Sequence, residues 1–70
     1  MFKTNELTFK NKMNIGSMTI VKFAHGNNEV SAIVKNNKIS EIAYYEAETE
    51  RDYIITKSPK GFKSLVQNNL

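Results

Sequence analysis

Between residues 18 and 35, apolar and polar side chains alternate with a period of two. That is the pattern of strands with two unlike faces. Residues 18–24 read as one strand and residues 29–35 as the next, joined by a tight reversal at Gly26-Asn27. Lys35-Asn36-Asn37-Lys38 is a second two-residue turn, because Asn tolerates the positive φ that a type I′ turn demands. The first reversal sets Phe23 opposite Val30, Val21 opposite Ala32 and Thr19 opposite Val34. The second sets Val34 opposite Ile39 and Val30 opposite Ala43. Both assign Val30, Ala32 and Val34 to one face, and this agreement is the strongest internal check in the chain.

Residues 39–51 carry mixed signals. Ile42, Ala43, Tyr44 and Tyr45 suit a strand, whereas Glu41, Glu46, Ala47, Glu48 and Glu50 favour a helix. The tight turn just before delivers the chain alongside its neighbour, which favours the strand. Thr49-Glu50 then turns into a strand over 53–57, with Tyr45 facing Ile54 and Tyr44 facing Ile55. Farther on, Ser58 reads as an N-cap and Pro59 as the first helical residue. Phe62, Leu65 and Val66 follow on one stripe, so a short C-terminal helix is expected to dock on the sheet. Residues 1–16 read either as a flexible arm or as an extra edge strand around Leu7 and Phe9, with 11–16 as a polar turn.

The predicted fold class is α+β. Four strands form an antiparallel β-meander, five if the N-terminal segment joins, and one C-terminal α-helix packs on one face. A small, partly closed barrel is the alternative. The chain, 70 residues long, is read as a single domain, 1–70.

Alternation then sorts the side chains. The helix-covered face collects Thr19, Val21, Phe23, Val30, Ala32, Val34, Ile39, Ala43, Tyr45 and Ile54. Glu41 falls on it too, either near the positive end of the helix dipole or at a wet corner. The opposite face collects Met18, Ile20, Lys22, Ser31, Ile33, Lys35, Lys38, Ser40, Ile42, Tyr44, Tyr53, Ile55 and Lys57. Four Ile are too many for a face left to water, and four Lys are too many for a sealed core. Three occupants are open: a partner, the folded-over residues 1–16, or a second copy of the chain.

Composition removes several chemistries. The chain has no Cys and one His, which excludes disulfides and thiolate or multi-histidine metal sites. No Ser lies in a nucleophile elbow, and no phosphate-cradling or dinucleotide fingerprint occurs. His25 beside a turn reads as structural, and residues 46–52 read as a solvated acidic loop rather than a carboxylate metal site. The expectation is therefore a protein that is not an enzyme and needs no cofactor. No apolar run approaches the length of a signal peptide or membrane span, so a cytoplasmic protein without a membrane partner is expected.

The net charge is +3, carried by nine Lys and one Arg. Lys meets phosphate as a point charge, and a lone Arg51 is poor equipment for reading bases. Lys22, Lys35, Lys38 and Lys57, with Tyr44 and Tyr53 among them, are the candidate partner-binding residues. Such a face suits a protein or nucleoprotein partner, with direct nucleic-acid binding as the alternative. Lys, Asn, Ile, Phe and Tyr supply 32 of the 70 residues, and all have A- or T-rich codons. A short chain of this kind is common in phages and mobile elements. The expectation that follows is a stoichiometric inhibitor of a host factor, such as a defence nuclease complex, acting in the host cytoplasm.

Overall fold

The computed structural model describes residues 2–70. One antiparallel sheet runs in chain order through β1 (Thr8–Ile15), β2 (Met18–His25), β3 (Asn28–Lys35), β4 (Lys38–Glu46) and β5 (Arg51–Ile55). A 3-10 turn over Thr4–Glu6 precedes β1, and one α-helix, α1 (Phe62–Asn68), follows β5. The α+β meander is as expected. The N-terminal segment is its fifth strand, which corrects the polar turn expected over 11–16, since residues 11–15 are paired with β2; residues 39–46 are strand rather than helix.

The turns explain the pairing. Asn36 and Asn37 both have positive φ, 52° and 61°, as a type I′ turn requires. At Gly26-Asn27 only the glycine is positive, φ 61°, so this reversal follows the type II′ pattern, with glycine first, instead of repeating the Asn-Asn turn. Gly16-Ser17 makes a third two-residue reversal of the same kind, between β1 and β2. Across the second hairpin the expected partners are all found: Thr19 with Val34, Val21 with Ala32, Phe23 with Val30.

The β3–β4 pairing departs from plain alternation. Val34 does meet Ile39, but Ile33 meets Glu41, which leaves Ser40 as an extra residue in β4. The Ser40 hydroxyl donates to the Ile33 carbonyl at 3.2 Å. A bulge of one residue exchanges the faces of everything after it. Val30 therefore pairs with Tyr44, not with Ala43. Ile42 and Tyr44 turn towards the helix, and Ala43 and Tyr45 turn away. β5 goes with them, pairing Ile42 with Ile55, Ala43 with Ile54 and Tyr44 with Tyr53 across a four-residue loop, 47–50. The energetic reason is area. Burying Ile42 in place of Ala43 removes about three more carbons from water, worth roughly 2 kcal/mol. The outcome is a 5% exposed Ile42, a 4% exposed Tyr44 and a 59% exposed Ile54. The assignments of Ala43, Tyr45 and Ile54 to the covered face, and of Ile42, Tyr44, Tyr53 and Ile55 to the lysine face, are thus corrected. Glu41 is corrected too: it lies exposed on the open side opposite Ile33.

A second irregularity sits in β1, where the register shifts between Phe9 and Asn11 and Lys10 is the extra residue. Lys10 reaches across to Glu29 at 3.3 Å.

The core lies between the sheet and α1. Val21, Phe23, Val30, Ala32, Val34, Ile42 and Tyr44 supply the sheet side, and Phe62 and Val66 the helix side. Phe23 and Phe62 meet edge to face, 5.8 Å between centroids. Burying Phe62 and Val66 contributes roughly 1.5–3 kcal/mol each. The helix start differs from the expectation. Gly61, not Ser58, is the N-cap, at φ 82°, and Pro59 lies outside the helix, accepting a bond from the Phe62 N–H at 3.1 Å. A residue with no Cβ takes this left-handed conformation without strain.

Phe2 completes the core. It lies 9% exposed, stacked on Tyr44 at 5.8 Å and tilted against Phe62 at 5.9 Å. The Thr4 hydroxyl donates to the Lys60 carbonyl at 2.7 Å, which ties the segment before β1 to the one before α1. Residues 2–7 therefore close over the helix side, and none of the described residues covers the open face.

Candidate binding face

The bulges leave one side of the sheet uncovered by α1. Reading across the strands, its lowest row is Ile15, Met18, Lys35 and Lys38. The next row is Met13, Ile20, Ile33 and Glu41. Above it come Asn11, Lys22, Ser31, Ala43 and Ile54, and then Ala24, Glu29, Tyr45 and Asp52. Met13 is 45% exposed and Ile15 48%, while Met18, Ile20 and Ile33 are half-buried among their neighbours. These five form one contiguous apolar patch over the lower half of β1–β3. Strand spacing makes it about 10 Å wide. Lys22, Lys35 and Lys38 border it. Lys35 stands directly opposite Lys38 across the Asn36-Asn37 turn, and neither has an ion-pair partner among the described residues.

The expected binding residues divide. Lys22, Lys35 and Lys38 do share the open face. Tyr44 and Tyr53 do not, because the Ser40 bulge turned both to the helix side. Lys57 follows the end of β5, exposed, at the sheet margin opposite β1. The aromatic ring that the open face does carry is Tyr45, between the carboxylates of Glu29 and Asp52.

Tyr44 has a different task. Its hydroxyl accepts from Asn28 Nδ2 at 2.9 Å and contacts His25 Nδ1 at 2.7 Å. His25 Nε2 lies 3.1 Å from Glu6 Oε1. A carboxylate only accepts, so Nε2–H donates to Glu6, and in the tautomer protonated at Nε2 the Nδ1 accepts a hydrogen bond from the Tyr44 hydroxyl. Asn28 Oδ1 accepts from the Ala47 N–H at 3.0 Å. The Lys3 backbone N–H at 2.9 Å, and after it the His25 ring, hold the Glu6 carboxyl below its ordinary value of 4.5. The chain Glu6–His25–Tyr44–Asn28 has donors matched to acceptors throughout, and no buried side-chain polar atom among the described residues lacks a partner. It locks the N-terminal segment over the β2–β3 turn and the β4–β5 loop. His25, read as a turn residue, is half-buried and hydrogen-bonded on both ring nitrogens; alternation after Phe23 already pointed it to the core side. Glu6, Asn28 and Phe2 carried no such signal.

On the helix side, a groove of about 440 Å³ runs beside α1 over Ile39, Ile42, Ile55 and Val66, with Lys38, Glu41 and Lys63 also lining it. Among the described residues, no cluster of three or more His, Asp or Glu could hold a metal ion, and no helix is long and apolar enough to cross a membrane. No known family model matches the chain, and neither a curated protein nor a solved structure resembles it.

Proposed function

We propose that this protein is a stoichiometric, non-catalytic binding module that docks on a protein target through the open face of its sheet. The observation that carries the reading is the patch of Met13, Ile15, Met18, Ile20 and Ile33, left uncovered and bordered by Lys22, Lys35 and Lys38. Met and Ile fill the pockets of a protein partner, and a contiguous exposed apolar patch is the usual mark of an interface. Nucleic-acid binding would want aromatic platforms among the lysines. Tyr44 and Tyr53 face the helix instead, and Tyr45 sits between two carboxylates that repel phosphate. In the phage or mobile-element setting suggested by composition, the target would be a host factor, such as a defence nuclease complex, in the host cytoplasm.

The test is capture from host lysate with the wild-type chain and with Met13→Ser plus Ile15→Ser, which strips apolar surface without adding charge. Both should unfold at similar temperatures, and the variant should lose the captured protein. Equal capture by the two would overturn the face. A gel-shift with single-stranded and duplex oligonucleotides at about 50 mM salt should show no retained band, since phosphate contacts are strongest at low ionic strength.

A further inference from the structure

On the reading that the open face is the docking surface, we infer that its occupant is an acidic amphipathic helix of a partner protein. Its apolar stripe lies over the Met13–Ile20–Ile33 row, and its carboxylates sit beside Lys35 and Lys38. Two independent features point there. The first is shape. The Met13–Ile20–Ile33 row crosses three strands, about 10 Å, the length of two turns of an α-helix laid across the sheet. The second is charge. Lys35 and Lys38 are cross-strand partners at a hairpin end, and like charges placed directly opposite destabilise a sheet. Neither is neutralised by a carboxylate among the described residues. Carboxylates of an occupant relieve that repulsion and form the polar rim that an apolar contact needs.

The face also sets a direction. Its own acids all lie on β3–β5: Glu29 and Asp52 in the upper row with Tyr45, and Glu41 on β4 beside Ile33, at the far end of the Met13–Ile20–Ile33 row. The helix is therefore acidic over the Asn36-Asn37 end and free of carboxylates towards Tyr45. A second copy of this chain fits less well. A two-fold axis along the strands over β2 sets Lys35 on Ile15, and one across them, centred on the apolar row, places Met18 against Lys22.

The probe is a displayed library of amphipathic helices with a fixed Leu stripe and flanks randomised among Glu, Gln and Lys, selected on the full chain. Enriched members should be Glu-flanked, and their addition should move the methyl signals of Met13, Ile15, Met18, Ile20 and Ile33. Lys35→Glu plus Lys38→Glu should shift enrichment to Lys flanks, with affinity for the original winners falling on the order of tenfold or more. A reversed preference cannot arise from misfolding. Enrichment without charge bias, or with Lys flanks on the wild type, overturns the acidic helix while the docking face stands. If nothing is enriched and the methyl signals move only on concentrating the protein, the occupant is a second copy and the inference fails. Winners whose shifts fall on Ile39, Ile55 and Leu70 overturn the open face itself.

Discussion

Tyr44 and Tyr45 are adjacent in sequence and point to opposite sides of the sheet, so removing one oxygen from each is a sharp test of the Ser40 bulge. Tyr44→Phe deletes the partner shared by Asn28 Nδ2, 2.9 Å away, and His25 Nδ1, 2.7 Å away. A buried polar group left unsatisfied costs about 1–3 kcal/mol. His25 and Asn28 are only half-buried, so water restores part of the loss, and about 1–2 kcal/mol is expected. For a domain of this size, each kcal/mol lowers Tm by about 4–8 °C. Tyr45→Phe touches no side-chain hydrogen bond among the described residues and should stay within about 0.5 kcal/mol of wild type. Alanine widens the contrast. Tyr44→Ala also removes the ring stacked on Phe2 and should cost about 3–5 kcal/mol, a large share of a small domain's margin. Urea unfolding followed by circular dichroism reads all three variants, with the midpoint moving and the slope unchanged. Equal costs for the two Phe variants, or a larger one for Tyr45, would refute the bulge and restore plain alternation.

Glu6 supplies a pH dependence. Its folded carboxyl titrates below 4.5, so its stabilising share is complete above that pH and drains away as pH falls through the folded value. Glu6→Gln should flatten this part of a Tm-against-pH curve, and an unchanged slope would show that the Lys3 and His25 contacts do not form. Two left-handed positions should respond with opposite signs. Glu50, at φ 55°, gains about 0.5–1 kcal/mol as Glu50→Gly, whereas Gly61, at φ 82°, loses about 1–2 kcal/mol as Gly61→Ala although its nearest neighbour, Thr4, leaves room for a Cβ; paired thermal melts check both. Phe2→Ala should cost about 3 kcal/mol by urea denaturation, and a near-zero effect would detach the N-terminal segment from the core.

The chain declared its reversals but hid its irregularities. Gly26-Asn27 and Asn36-Asn37 wrote the β2–β3–β4 path, and Val21, Phe23, Val30, Ala32 and Val34 fell where a period of two put them. Ser40 gave no warning. A bulge is chosen by comparing whole faces, and Ile42 with Tyr44 buries more than Ala43 with Tyr45, a sum invisible at Ser40 itself. The cost of missing it was two tyrosines on the wrong side and a binding surface that looked suited to bases. The lysine part survived because Lys22, Lys35 and Lys38 precede the bulge. Phe2 was out of reach for another reason: its contacts, Tyr44 and Phe62, lie far along the chain, and only the closed structure brings them together.

The sheet's two margins bear on how the protein behaves at high concentration. β1 presents a long unpaired border, yet Lys10 breaks its regular hydrogen-bonding rhythm and Lys12 adds a second charge. β5 stops after five residues, begins with Arg51 and Asp52, and gives way to Lys57 and Pro59. Borders broken and charged in this manner resist strand-by-strand growth into fibrils. A small domain with an exposed apolar patch can thereby accumulate without polymerising edge to edge.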